Sequence, residues 1–179
     1  MKRALVRAAI AALCAILLAG CVDSVGPILA DAQPVLGARL KLQLYSMRKG
    51  HAEDPEQASF AWNGKLYVHA GGGMTDVRGF SVHPFEGGNY IIQSVPEKRP
   101  QMAEYALMRQ LMDGVYYVVV IDEDDADAAT RAAHCAKLPG VACRIASREA
   151  LFAFARATAA RKKQDGGLAI QLPDGAERR

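Results

Sequence analysis

His83-Pro84-Phe85-Glu86-Gly87-Gly88 places an imidazole and a carboxylate three residues apart beside a glycine turn. A pair of that kind could serve as general base and general acid in a hydrolysis. The same letters describe a surface turn at a strand end, from which the two side chains need not converge. Other catalytic patterns are missing from the sequence. There is no G-x-S-x-G elbow to expose a nucleophilic serine and no H-E-x-x-H pair to bind a metal. His51, His69, His83 and His134 are scattered along the chain. The run Asp122-Glu123-Asp124-Asp125-Ala126-Asp127 lacks the glycine and the distal glutamate of a calcium loop, and it reads as the solvated start of a helix. No metal and no cofactor are expected.

Cysteine chemistry is better defined. Cys135 and Cys143 flank a segment containing Pro139-Gly140, a turn able to bring its two ends together. A disulfide there would close a loop of about nine residues and contribute roughly 2–3 kcal/mol through chain entropy. A zinc or redox site is the rival reading. With no C-x-x-C spacing and only His134 nearby as an extra ligand, the disulfide is the expectation.

The other two cysteines belong to the first 21 residues. Lys2, Arg3 and Arg7 precede an apolar run from Ala8 to Leu18, and the small residues Ala19-Gly20 follow. This is the order of a secretory signal peptide. The run is well short of the roughly 20 residues that a membrane-spanning helix needs. Leu18-Ala19-Gly20-Cys21 resembles the lipobox of bacterial lipoproteins. That resemblance implies cleavage before Cys21, diacylglyceryl attachment to its sulfur and a membrane partner. Two or three acyl chains would hold firmly, because each buried methylene adds about 0.8 kcal/mol. Val22, where an aspartate would favour inner-membrane retention, implies the periplasmic face of the outer membrane. Such a compartment favours oxidation of Cys135 and Cys143. Beyond the lipobox, the chain is similar in layout to small uncharacterised proteobacterial lipoproteins.

Charge follows the same division. Residues 1–20 hold three of the 22 basic residues and none of the 19 acidic ones, so the remainder carries 19 of each. A neutral body lacks the positive field that nucleic-acid binding requires, and no nucleic-acid partner is expected.

The elements that would position these groups are mostly strands. Leu40, Leu42 and Leu44 alternate with Lys41, Gln43 and Tyr45. Asn63-Gly64 between Ser59–Trp62 and Lys65–Val68 predicts a two-residue hairpin with Phe60 opposite Tyr67 and Ala61 opposite Leu66. Gly71-Gly72-Gly73 reads as a loop. Phe80–Phe85 and Asn89–Val95 read as two further strands, and Val115–Ile121 as another. Residues 103–112 are good helix formers, yet Asp113-Gly114 joins them directly to the 115–121 strand. A strand hairpin is the simpler reading. Ala126–Lys137 and Ser147–Lys163 predict two helices, with Cys143–Ile145 a short strand between them. Leu168–Leu172 predicts an edge strand after Gly166-Gly167. Trp62, Tyr67, Tyr90, Tyr105, Tyr116 and Tyr117 fall on these strands, as a binding face or as core.

Together these readings predict an α+β fold: an antiparallel sheet of about six or seven strands, two C-terminal helices and one disulfide. The expected organisation is a signal peptide over 1–20, a lipidated tether over 21–37, one domain over 38–173 and a flexible tail over 174–179. The expected role is a non-catalytic lipoprotein presenting a binding or envelope-assembly surface, with an envelope protein as a possible partner. The alternative is an envelope hydrolase using His83 and Glu86.

Overall fold

Between Met102 and Met112 helix propensity and hairpin pattern disagree, and the hairpin prevails. The segment is one long strand, turned at Asp113-Gly114 with Gly114 at φ 71° and paired with Val115–Val120. A computed structural model describes residues 22–30, 32–48, 51–52, 54–70, 77–138, 141–161 and 166–173. Its strands are β1 (Val22–Val25), β2 (Arg39–Arg48), β3 (His51–Ala52), β4 (Glu56–Trp62), β5 (Tyr67–His69) and β6 (Val77–Pro84). They continue with β7 (Asn89–Pro96), β8 (Met102–Met112), β9 (Val115–Val120), β10 (Ala136–Leu138), β11 (Val141–Ile145) and β12 (Gly166–Gln171). Two helices, α1 (Ala128–His134) and α2 (Arg148–Ala160), complete the elements.

The fold corrects the α+β expectation. The described residues are mainly β, with eight strands closed into an antiparallel barrel and, among them, only two short helices. Around the barrel the order is β2, β4, β5, β6, β7, β8, β9, β12 and back to β2, so neighbours in space follow one another in the chain. Strand β12 was expected at an edge. It is instead the closing stave, with Ala169 paired to Leu44 of β2 on one side and to Tyr116 of β9 on the other. Outside the ring, β3 extends β2, and β1 carries β11 and β10 on the far edge of β8. The Asn63-Gly64 hairpin is also corrected. Its register is two residues wider, Trp62 facing Tyr67 and Phe60 facing His69 across a four-residue turn. The cause is the Asn63 side chain, whose Oδ1 accepts from Lys65 N (3.0 Å) and Leu66 N (2.9 Å) and so stabilises the longer turn.

Two apolar cores lie on opposite faces of the same sheet. Leu40, Leu42, Phe60, Tyr67, Phe80, Val82, Met108 and Tyr116 fill the barrel. Phe80 stands edge-on to Phe60 and stacks on Tyr67, with ring centres 5.0 and 5.1 Å away. An eight-stranded barrel is just wide enough for side chains to fill it. The second core is outside, where Ile91, Tyr105, Leu107 and Val119 meet Leu151, Phe154 and Ala155 of α2.

Within the segment 21–37, expected as a tether, Val22–Val25 form a strand and Leu29 and Leu36 are buried against the body. Val22 is fully buried, and its N–H donates to Ile121 O at 3.1 Å. Leu29 exchanges two hydrogen bonds with the Gln93 side chain across the outside of the barrel. Leu36 closes one barrel end, its N–H donating to the Tyr67 hydroxyl at 3.0 Å while that hydroxyl donates to Gly37 O. Residues 1–20, expected as a signal peptide, Cys21, Gly71-Gly72-Gly73 and residues 174–179, expected as a tail, lie outside the described residues.

Phe154 is fully buried at the centre of the outer core. Phe154→Ala should lower unfolding free energy by about 3–5 kcal/mol in urea denaturation, because a large ring leaves a cavity the sheet cannot close. A loss under about 1 kcal/mol would contradict this packing.

Candidate functional site

His83 and Glu86 are held by different partners. His83 is on β6 and faces outward. It is buried, and its Nε2 lies 2.8 Å from Ser81 Oγ. Glu86 is in the turn between β6 and β7, a single 3-10 turn over Glu86–Gly88 with Gly87 at φ 65°. Its carboxylate accepts three hydrogen bonds from the Arg156 guanidinium of α2, at 3.1 and 2.6 Å to Oε1 and 3.0 Å to Oε2. The guanidinium bonds hold the Glu86 carboxyl below the ordinary carboxylate range. Phe85 stands edge-on to Phe152, with ring centres 5.1 Å apart, so this turn is a docking point for α2.

Ser81 and His83 form a contact that the sequence reading missed, although residues two apart on a strand share a face. A serine hydroxyl against an imidazole nitrogen is the arrangement of an activated nucleophile. Here Ser81 is 1% exposed, and its hydroxyl also accepts from Gln93 Nε2, whose side chain exchanges two hydrogen bonds with the main chain of Leu29.

A second polar cluster joins β1 to β8. Asp23 and Glu104 are directly opposite across the two strands and are 5% and 9% exposed. Like charges so placed repel. Arg144 pairs with Asp23 at 3.1 Å, and Arg99 pairs with Glu104. Burial is the larger influence on Glu104 and raises its carboxyl above the ordinary range. Arg99 pulls it down, and Asp23 pushes it further up. Local spacing does not reveal the whole cluster, since Asp23, Arg144 and the Arg99–Glu104 pair come from separate regions of the chain.

The acidic run 122–127 is not simply a solvated helix start. Asp122 and Asp127 cap successive turns, accepting from Asp124 N and Thr130 N. Asp125 is 8% exposed and ties this segment to α2, accepting from Thr158 Oγ1 (2.8 Å) and Arg161 Nη1 (3.3 Å). The aromatics divide between the cores. Tyr67 and Tyr116 are buried inside the barrel and Tyr105 outside it, with Trp62, Tyr90 and Tyr117 half-buried.

Cys135 and Cys143 form a disulfide, with Cα atoms 5.2 Å apart. A groove of about 400 Å³ lies between the C-terminal end of α2 and strands β8 and β9. Its floor is Leu107 and Val119, and its rim includes Arg109, Tyr117, Thr158 and Arg161. Arg161 is paired with Asp125, whereas among the described residues Arg109 donates to neutral oxygens, Asn89 Oδ1 and Ala159 O, both at 3.3 Å. A comparison with protein-family models, curated proteins and solved structures finds no match for the chain.

The Glu104 carboxyl gives a pH test. Because its folded value is raised, the folded state holds its proton at pH values where the unfolded chain has released it. Stability from this group is therefore present below its ordinary value of 4.5 and is lost as pH rises above it. Glu104→Gln should flatten that decline in urea midpoints measured from pH 4 upward. An unchanged pH profile would contradict the assignment.

Proposed function

We propose that this chain is an envelope lipoprotein, anchored through lipid on Cys21, whose barrel presents a non-catalytic binding surface. The observation that carries the non-catalytic part is the occupation of His83 and Glu86, the acid–base pair read in the sequence, by the fold itself. Glu86 is forked by Arg156, and His83 is bonded to a buried serine. The barrel centre is filled with aromatic and aliphatic side chains, which leaves the outer surface for recognition. The groove beside α2 offers an apolar floor and a guanidinium, Arg109, with neutral partners among the described residues. That composition suits a partner bringing an anionic group beside an apolar one. The anchoring part is supported by Leu18-Ala19-Gly20-Cys21 after a basic and then apolar leader, ending one residue before the folded body.

Labelling with a radioactive fatty acid in a bacterial host tests the anchor. Wild type should label and run at processed mass, whereas Cys21→Ala should remain an unlabelled precursor. An unlabelled wild type at full mass would end the proposal. For the surface, a photo-crosslinking residue at position 109 should give discrete adducts in intact envelopes. The same residue at the exposed Gln57 position should give none. Equal patterns at both positions, or no adduct at either, would overturn the placement of the binding surface.

A further inference from the structure

The disulfide has a carboxylate beside it. Glu123 lies in the 3-10 turn before α1, Cys135 caps the end of α1 and Cys143 lies in β11. One ligand atom from each falls within 4.8 Å of the other two. Cys135 Sγ is 3.7 Å from Glu123 Oε2. We propose that reduction of Cys135–Cys143 converts this corner into a site for zinc or a similar borderline-soft divalent cation, held by two thiolates and the Glu123 carboxylate. This inference does not depend on the lipid anchor.

The ligand set fits the chemistry. Zinc takes thiolates at about 2.3 Å and carboxylate oxygens at about 2.0–2.2 Å in tetrahedral geometry, which sets neighbouring sulfurs about 3.8 Å apart. Opening the S–S bond lets the two sulfurs separate to that spacing, and Glu123 already stands at a matching distance. Three protein ligands leave the fourth position for water. Cys143 is fully buried, while Cys135 and Glu123 are partly exposed and give the cation a way in. Two thiolates and a carboxylate carry three negative charges. A divalent cation leaves one, next to the Arg131 guanidinium that donates to Glu123 O.

Bonds that do not involve sulfur hold the corner together. Arg131 Nη1 donates to Glu123 O (3.4 Å) and Ala126 O (2.9 Å), and Cys135 N donates to Arg131 O (3.0 Å). Cys143 is paired with Val22 in the parallel β1–β11 ladder, and Arg144 with Ala136. The three ligand-bearing segments therefore keep their places when the crosslink opens. The steps balance: the disulfide gains two electrons and two protons from a dithiol or phosphine, which is itself oxidised. The cation then displaces the two thiol protons. Re-oxidation by a disulfide, which takes up the two electrons with two protons from water and becomes two thiols, consumes both thiolates and expels the metal, so metal occupancy is set by redox state.

The test uses the full chain carrying Cys14→Ser and Cys21→Ser, so that Cys135 and Cys143 are the only thiols. After reduction by a phosphine and its removal without oxygen, the protein is titrated with Cd²⁺. A saturable thiolate–cadmium charge-transfer absorption at one metal per chain is expected, reversed by excess Zn²⁺ and absent from the oxidised protein. Glu123→Gln should weaken binding by more than about tenfold, as loss of a ligand must. Its oxidised form should crosslink normally. Far-ultraviolet circular dichroism should keep its strand signal on reduction. No charge-transfer band, Glu123→Gln titrating like its parent, or loss of the strand signal on reduction would each overturn the site.

Discussion

The far edge of β8 serves two partners, and the rest of the architecture follows from that division. Residues 106–112 bond to β9 and close the barrel, whereas residues 102–104 bond to β1 and open a wing. Tyr105 stands between the two stretches. Its carbonyl accepts from Ile121 N where β9 leaves, and its hydroxyl bonds Ser24 of β1 and Ile28 N of the covering segment. One 2%-exposed side chain thus joins barrel, wing and cover. Burial raises its phenol above the ordinary range despite the Ser24 bond, as expected for a hydroxyl surrounded by core.

Because α2 covers the outside of β7, β8 and β9, those strands are apolar on both faces there. This explains what the sequence revealed and what it hid. Leu40, Leu42 and Leu44 alternate cleanly because β2 meets the core on one face only, so that strand was legible. Val115–Val120 was legible from its β-branched and aromatic residues, although Tyr116 faces inward and Tyr117 outward. Barrel closure was not legible. It depends on β12 fitting between β2 and β9, and two helices separate β9 from β12 in the chain. Local reading places Gly166-Gly167 ahead of an edge strand rather than within it. In the fold, a Cβ at Gly166 would sit 2.7 Å from Val118 O and 2.8 Å from the Tyr117 hydroxyl, so the glycine admits the closing strand.

The candidate site was legible only where its partners are close in sequence. Cys135 and Cys143 are eight residues apart, and the turn between them announced the crosslink. Glu86 and Arg156 are 70 residues apart, Thr158 and Asp125 are 33 apart, and Arg144 and Asp23 are 121 apart. A carboxylate that looks available in a short window is committed elsewhere by the topology. His83 and Glu86 resembled an acid–base pair for that reason. Their spacing was local, while the bond that defines Glu86 comes from a helix far along the chain.

The anchor proposed at Cys21 would have a mechanical consequence for such a body. Val22 is bonded on both sides, to Ile121 O and within the β1–β11 ladder. A long tether would let a domain tumble freely, since the space it can sample grows with linker length. Lipid on Cys21, as proposed, would be attached directly before the first residue of β1, leaving no tether between anchor and sheet. Such an anchor would hold the barrel against a bilayer with a restricted orientation, the same surfaces facing the membrane and the periplasm. A fixed orientation is of little use to a domain that must reach mobile substrates. It suits a part that meets its partner at a set height and angle, which is the requirement of envelope assembly.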